Sequence, residues 1–445
     1  MEDEVRASPG RAVVLVRFGE IALKGDNRRQ FEQALARNLA ARVRPLGPFA
    51  VRTLYGRMVL EPERPLPDGA GLVERAARAA SCVFGVVGAV PALQVPLEVE
   101  HICRAARQLV AAWLGLAATG PAEPPNAAAA ASQAPPVPFK VNSRRANRQF
   151  PLDSLELNRV VGADLLRHFG PRLRVDVHHP RLQVHVEVRE REAFVYDGEH
   201  PGPGGLPVGV SGRALALVSG GIDSPVAAWM GMKRGLEVDL LHFHAIPFTT
   251  QQARDKVVRL AAALARWHSP LRVFMVRFTE VQKEIYARCP HPLGVILMRR
   301  MMLRIADRLA DRFGHEALIT GENLGQVASQ TLRSLSVVNQ AARRLVLRPL
   351  VGWDKEEIIR QARTIGTYPI SIEPFEDCCT LFVARHPATH PTLEAVQEAE
   401  ARLDVPSLVQ AAADSLEVVA VDDGTPLPEQ PAGAPRPAAP MEPQA

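Results

Sequence analysis

Long apolar runs are missing from this sequence. No stretch of about 18 apolar residues occurs, so no membrane-spanning helix is expected. Cysteine is scarce, with five in 445 residues. That excludes a disulfide scaffold and points to a reducing, cytoplasmic setting. The first residues, MEDEVRASPGR, lack the basic-then-apolar order of a secretory leader. Two common nucleotide signatures are also absent from the glycine-rich segment at residues 219–224: it fits neither GxxxxGK[ST] nor GxGxxG. Neither a P-loop NTPase nor a nicotinamide-binding fold is supported.

What is present is a chain that is 47% hydrophobic, ample for several cores, with a net charge of +5. The positive balance hints at a polyanionic partner. Its distribution says more than its size. Residues 139–150, FKVNSRRANRQF, hold Lys140, Arg144, Arg145 and Arg148 and no acid. Residues 299–312 carry five arginines against two aspartates, a pattern that also suits a solvated helix face.

Hydrophobic periodicity organises the chain. AVVLVR (12–17) reads as a strand, a helix follows from about residue 27, and RTLYGRMVLEP (52–62) reads as one more strand. Helices are expected at 70–80, 99–115 and 154–169, with VFGVVGAVPALQV as strand and turn, and LRVDVH and LQVHVEVRE as strands. PAEPPNAAAAASQAPPVP (121–138), rich in Ala and Pro, reads as a flexible insertion spanning about 118–138. PGPGGLPVGVSG (201–212) is linker-like and marks a boundary. Beyond it, ALALVSGG, VDLLHFHA, LRVFMVRF and ALITGE alternate with helical segments, which predicts a parallel, doubly wound sheet. The residues after 400 turn acidic and then Pro/Ala-rich, and are expected to be disordered.

LALVSGGIDSPVAAWMGMKRG (215–235) carries the chemistry. A buried strand runs into a helix through Ser219, Gly220, Gly221, Ile222, Asp223 and Ser224. At the C-terminal end of a parallel strand such a junction presents free N–H groups and the positive end of a helix dipole. The glycines allow a tight turn and close approach of the backbone to a ligand, the serines offer hydroxyls, and Pro225 suits a first helical turn. Together these residues make an anion cradle. A plain βα turn capped by Ser or Asp would use the same residues, and composition alone leaves both readings open. Asp223 would repel a phosphate unless a cation intervened, so Mg²⁺ is expected to accompany a nucleotide there.

SGGIDSP after a strand resembles the pyrophosphate loop of the PP-loop ATPases. With RFGEIALKGDNRRQFE (17–32), FKVNSRRANRQFPLDSLELNR (139–159), LMRRMMLRIADRLA (297–310), TGENLGQVASQTLRSL (320–335) and IEPFEDCCTLF (372–382), the chain from about 12 to 400 resembles the tRNA 4-thiouridine synthase (ThiI) family of tRNA sulfurtransferases. The resemblance implies an α/β chain in three domains: an N-terminal ferredoxin-like α+β domain (1–70), a THUMP tRNA-binding domain (71–198), and a PP-loop ATP-pyrophosphatase domain with a Rossmann-like parallel sheet (199–400), before a disordered tail (401–445). It implies ATP contacts at Leu217, Val218, Ser219, Gly220, Gly221, Asp223, Ser224, His242, Phe243, Arg299, Gly321 and Gln330. It also implies catalytic roles for Cys379 and Asp223, and tRNA backbone contacts from Lys140, Arg144, Arg145, Arg148 and Arg159. On the residues alone, His242 also fits a satisfied core histidine, Arg299 a solvated helix residue, Gln330 an ordinary helix residue, and Met298, Met301 and Met302 core packing. Cys82 and Cys103 read as core, and Cys289 is ambiguous.

The activity implied is ATP-dependent adenylation of uridine at tRNA position 8, followed by replacement of its C4 oxygen with persulfide sulfur. Another PP-loop tRNA thiolation is the alternative. ATP and Mg²⁺ are the implied cofactors, and no direct protein ligand set for a metal is assigned. Longer family members carry a rhodanese-like domain, whereas AVDDGTPLPEQPAGAPRPAAPMEPQA contains no cysteine. A short form is therefore expected, taking persulfide from a separate cysteine desulfurase. Sulfur transfer to the carrier protein of thiamine synthesis is a weaker implication, and a homodimer is allowed.

Overall fold

The computed structural model describes residues 10–64, 69–116, 135–374, 388–422 and 425–426. The chain divides into two compact units, Met1–Gly204 and Gly205–Ala445.

The first unit begins with β1 (Arg11–Phe18), α1 (Arg28–Val43), β2 (Phe49–Leu54), β3 (Arg57–Pro62), α2 (Gly69–Ala80) and β4 (Val86–Pro96). The strands lie in the order β2-β3-β1-β4, all antiparallel, a ferredoxin-like βαββαβ arrangement. Leu35 and Leu39 of α1 and Val73, Ala76 and Ala77 of α2 bury against Val14, Val16, Met58 and Leu60 of the sheet. Residues 52–62, expected as one strand, belong to a hairpin instead. Leu54 pairs with Arg57 across a two-residue turn in which Gly56 has φ +72°. The boundary expected at residue 70 also moves, because α2 and β4 complete this first sheet half and β4 runs unbroken to Pro96. Pro91 pairs with Val14 of β1, and on the other edge of β4 it falls between the pairings at Gly88 and Ala89 and from Leu93, where a missing N–H breaks no ladder.

The unit continues with α3 (Val99–Trp113), β5 (Val137–Arg145), α4 (Ser154–Phe169), β6 (Leu173–Val175), β7 (Leu182–Val188), β8 (Glu192–Tyr196) and β9 (His200–Pro201). These strands extend the sheet as β4-β8-β7-β5-β6, with β9 beside β4. Ile102, Ala106 and Val110 of α3 and Leu157, Val161 and Leu165 of α4 recur every four residues and form one apolar stripe each. Both stripes close over Phe139, Val184 and Val186. Asp153 and Glu156 form a capping box that starts α4. Val137 and Pro138, expected within the insertion, open β5.

The second unit holds β10 (Arg213–Leu217), α5 (Asp223–Lys233), β11 (Glu237–His244), α6 (Gln251–Ala265), β12 (Leu271–Arg277), α7 (Thr279–Arg288), α8 (Gly294–Phe313), β13 (Ala317–Ile319), α9 (Leu332–Asn339), β14 (Leu345–Leu347), α10 (Lys355–Thr364), α11 (Tyr368–Ser371), α12 (Leu393–Glu400), α13 (Val405–Asp414), β15 (Glu417–Asp422) and β16 (Thr425–Pro426). Strand order is β14-β13-β10-β11-β12-β15-β16. The first five strands are parallel, as the continuous apolar runs predict. β10 is the switch point, with the chain winding through β11 and β12 on one side and β13 and β14 on the other.

The expectation of disorder after residue 400 is corrected for 401–422. There α13 forms, and β15 pairs antiparallel with β12 from Leu271↔Val421 to Met275↔Glu417. Val418, Val419, Ala420 and Val421 are all buried. The acidic residues around LEVVAVD masked a short strand whose apolar side chains have a sheet edge to cover.

Candidate active site

The loop between β10 and α5 is fixed by its own serines. Ser219 N–H donates to Ser224 Oγ at 2.9 Å, and Gly221 N–H donates to Ser219 Oγ at 3.3 Å. The two hydroxyls lie 3.3 Å apart. Neither Gly220 nor Gly221 is among the glycines with positive φ. The value of Gly221 here is the lack of a side chain on the wall of the site, not left-handed backbone. Gly321, after β13, explains itself differently. A Cβ on it would stand 2.7 Å from Ser224 N and 2.8 Å from Ser224 Cα. The close approach expected of this glycine is therefore made to the first turn of α5.

A cavity of about 280 Å³ opens at the C-terminal ends of β10, β11 and β13. Leu217, Val218, Ser219, Gly221, Asp223, Ser224, His242, Phe243, Arg299, Gly321 and Gln330 all line it, so the structure gathers eleven of the twelve expected nucleotide contacts. Gly220 belongs to the same loop but is not part of the lining. Leu241, Met302, Leu303 and Val338 add apolar wall that the sequence reading did not identify, and Met302, expected as core alone, serves both purposes.

Polar groups around the cavity are held from behind. His242 Nδ1 lies 3.0 Å from Val218 O. Arg299 is not a solvated residue: it donates to Ser329 O at 3.1 Å and pairs with Glu322 at 3.2 Å. Glu322 is gripped from its other oxygen by Arg348 at 2.7 Å and Thr320 at 3.0 Å. Gln330 is 7% exposed, and its Oε1 has no hydrogen-bond partner. A buried acceptor with nothing to accept is costly, and this one faces a cavity that would admit a donor. His244, two residues beyond His242, is buried and its Nδ1 is likewise unpartnered. Burial, with some repulsion from His242, brings its pKa down to about 4.

Asp223 meets two partners that the sequence did not disclose. Lys355, at the first position of α10, places its Nζ 2.6 Å from Oδ1, and Gln326 Nε2 donates to Oδ2 at 3.0 Å. The repulsion that motivated Mg²⁺ is thus partly answered by a lysine of the chain itself. Among the described residues no group of three or more His, Cys, Asp or Glu is placed to hold a metal ion. Lys355 follows Asp354 in a capping box and reads locally as an ordinary helix start. Only the fold carries it to the loop, across 132 residues of sequence.

Cys378 and Cys379 lie outside the described residues. Cys289 is buried, donates to Ala399 O at 3.4 Å, and is pushed up by burial, so its ambiguity resolves to a core thiol. Cys103 is core as expected, raised to about 11, mainly by burial. Cys82 is half-buried, not core.

The five basic residues of the first unit do not form one patch. Lys140 and Arg144 alternate on β5 with the buried Phe139 and point away from the helices. They act on His185, whose pKa is lowered by burial and then by Arg144, Lys140 and Arg17. Arg17, Arg57, Arg144, His185 and Tyr196 share a small cleft on this open sheet face, and His185 stacks on Tyr196 at 5.1 Å. Arg17 and Arg57 were not singled out from the sequence. Arg145 faces the other way and donates to Phe150 O and Leu152 O, a loop-tying role. Arg148 and Arg159 are exposed on the loop and on α4.

Family models match in three places. One described as Thiamine biosynthesis protein (ThiI) covers residues 209–405, a ThiI ferredoxin-like domain covers 13–89, and a THUMP domain covers 126–197. A probable tRNA sulfurtransferase of Moorella thermoacetica is 47% identical over 92% of this chain and 97% of its own. One from Caldanaerobacter subterraneus subsp. tengcongensis is 45% identical over 88% and 95%. A crystal structure of a 4-thiouridine synthetase–RNA complex with bound ATP aligns with TM-score 0.79 and 34% identity, covering 93% of this chain and all of that one. No described helix is long and apolar enough to cross a membrane.

Proposed function

The chain belongs to the ThiI family of tRNA sulfurtransferases, and on that premise we propose that it is a tRNA uracil 4-sulfurtransferase acting on position 8. ATP-dependent transfer of sulfur to tRNA is the activity its relatives support. The observation that carries the reading is the cavity at the β10 switch point, where a serine-locked loop and a buried, unpaired Gln330 acceptor face the same space.

The residues fit a nucleotide. Leu217, Leu241, Phe243 and Met302 offer apolar wall for a base, and Gln330 Oε1 awaits a donor such as an exocyclic amino group. Ser219, Ser224 and the backbone of the loop suit phosphate oxygens at a helix N-terminus. Bound ATP supplies an electrophilic α-phosphorus and a pyrophosphate leaving group. Asp223 holds the Lys355 ammonium at the loop, where negative charge develops on the phosphates. Mg²⁺ would arrive on those phosphates, and no step is assigned to it.

The uridine O4 attacks the α-phosphorus, the bond to pyrophosphate breaks, and C4 gains AMP as its leaving group. The outer sulfur of a persulfide on Cys379 then attacks C4 and AMP departs. A further thiol attacks Cys379 Sγ, so the S–S bond breaks, sulfur stays on the base as 4-thiouridine, and a disulfide is left for a thiol reductant. A cysteine desulfurase is the donor we favour for the persulfide. Supply of sulfur to the thiamine-pathway carrier protein and a homodimeric state are secondary proposals. In the first unit, Lys140, Arg144 and exposed Arg148 and Arg159 are suited to backbone contacts with tRNA.

The test is nucleoside analysis of tRNA from a host without its own 4-thiouridine synthase, carrying this chain or its Cys379→Ala or Asp223→Ala variant. Return of 4-thiouridine with the natural chain alone supports the reaction, the loop and the cysteine. A different thiolated nucleoside, or none when a desulfurase is supplied, overturns the assignment.

A further inference from the structure

Lys256 is a buried lysine that the reaction scheme does not use. It sits on α6, 3% exposed, among Ala253, Val257, Leu260 and Ala261 of the helix's buried face. Lysine is almost never buried without a compelling partner. A methionine of similar length would fill this place without the desolvation of an ammonium. Lys256 instead spends its donors on the backbone of a remote segment, giving hydrogen bonds to Ser371 O and Glu373 O, each at 2.9 Å.

That segment is the approach to Cys379. Ser371 Oγ donates at 3.3 Å to Gly221 O, in the middle of the nucleotide loop. One turn along α6 from Lys256, Arg259 grips the Glu373 carboxylate with both terminal nitrogens, one of them at 2.6 Å. The described chain stops at Pro374, five residues short of Cys379, a contour reach of at most about 18 Å. Description resumes at Ala388, whose N–H donates to Pro292 O at 2.9 Å, and Thr331 Oγ1 donates to Thr389 O at 2.8 Å. Thr331 directly follows Gln330 of the cavity. The described backbone before residue 375 is therefore fastened to the nucleotide loop, and the described backbone after residue 387 is fastened beside Gln330.

Resting on the function proposed above, we propose that Lys256 is a positioning residue for sulfur transfer: by pinning Ser371 O and Glu373 O, it fixes where the chain bearing Cys379 departs from the nucleotide loop. It touches no reacting atom. Its loss should spare adenylation, which uses the cavity, and impair the step that needs Cys379 in register with the activated base. Misplacement of a reacting group by about 1 Å costs up to about 100-fold in rate.

The experiment uses the purified full chain and its Lys256→Met, Arg259→Ala and Cys379→Ala variants with unmodified tRNA. Three readouts are taken: tRNA-dependent pyrophosphate release with its KM for ATP, 4-thiouridine formed with a cysteine desulfurase and cysteine, and 4-thiouridine formed with bisulfide. Bisulfide attacks C4 and displaces AMP without Cys379. For Lys256→Met, pyrophosphate release and KM should stay within about threefold of the natural chain, while desulfurase-supported thiolation falls about tenfold or more. Bisulfide-supported thiolation should match the natural chain. Arg259→Ala, an exposed pair that does not endanger folding, should show the same split at about threefold. Parallel loss of both half-reactions, or unchanged thiolation in Lys256→Met, overturns the proposal. If Lys256→Met does not fold, the absence of the split in Arg259→Ala overturns it. Full desulfurase-supported thiolation by Cys379→Ala would instead sink the underlying role of that cysteine, whatever Lys256 does.

Discussion

Replacing Gly321 with alanine tests how the two halves of the site are joined. The added Cβ would lie 2.7 Å from Ser224 N, 2.8 Å from Ser224 Cα and 3.0 Å from Asp223 C, all backbone atoms that cannot swing aside. Comfortable contact needs about 3.5 Å, so the end of β13 and the first turn of α5 must part by roughly 0.8 Å. Overpacking of this kind costs about 1–3 kcal/mol. Gly321 is not among the positive-φ glycines, so alanine fits its backbone, and the smaller entropy of the unfolded chain returns about 0.4–1 kcal/mol. Taking the middle of each range, the net loss is about 1.3 kcal/mol, equivalent to a fall in Tm of about 3–5 °C for a unit of this size. The displaced atoms belong to the loop that is to hold phosphate, and losing one charge-assisted hydrogen bond there should raise KM for ATP about tenfold or more. Gly352→Ala is the control: nothing lies within 4 Å of its Cβ position, so it should be neutral or slightly stabilising. Thermal melts and ATP-dependent pyrophosphate release measure both quantities. A Gly321→Ala protein with unchanged Tm and unchanged KM would refute the packing argument.

Three further outcomes follow from the same geometry. Lys355→Met leaves Asp223 facing phosphate uncompensated and should slow tRNA-dependent pyrophosphate release by about 10–100-fold; adding Asp223→Asn should recover part of that loss, and a double variant worse than either single one would contradict the pairing. Gln330→Leu removes a buried acceptor that has no partner, so melts should show equal or greater stability while KM for ATP rises about tenfold; a drop in Tm with unchanged KM would mean the acceptor serves the apo fold. Glu400 carries the pH prediction: burial pushes its carboxyl up, but hydrogen bonds from Arg300 and Arg304 outweigh burial and bring it down to about 2. Because the folded value lies below the unfolded one of 4.5, its stabilisation is complete above pH about 4.5 and is lost towards pH 2. The stability gap between the natural chain and Glu400→Gln should therefore close over that window, and a gap independent of pH would argue against the ion cluster.

The elements that sequence periodicity made legible are those whose burial is local in origin. The stripe Leu157, Val161, Leu165 on α4 and the continuous run of β10 each announce one face or two. What stayed hidden depends on distant pairing. The hairpin at Tyr55–Gly56 hinged on one glycine inside an apparently unbroken strand, and β15 is a strand only because β12 has an edge to give it. The same division holds for the site. The loop at 219–224 and the TGEN segment are contiguous motifs and stand out. Lys355, Gln326 and the Glu322–Arg348 pair are ordinary side chains until the fold sets them beside Asp223 and Arg299. Arg145 adds a role that the basic run does not disclose, tying a loop through Phe150 O and Leu152 O.

The antiparallel pairing of β15 with β12 bears on how this protein can be cut. A fragment ended at residue 405, where the family match stops, would lack β15 and bare the backbone of β12 from Leu271 to Met275. That is a row of unpaired amides and carbonyls flanked by apolar side chains, a ready template for another chain. Such a fragment should aggregate in proportion to its concentration. One carried through Asp422 should stay dispersed, so β15 acts as the seal on an otherwise adhesive border.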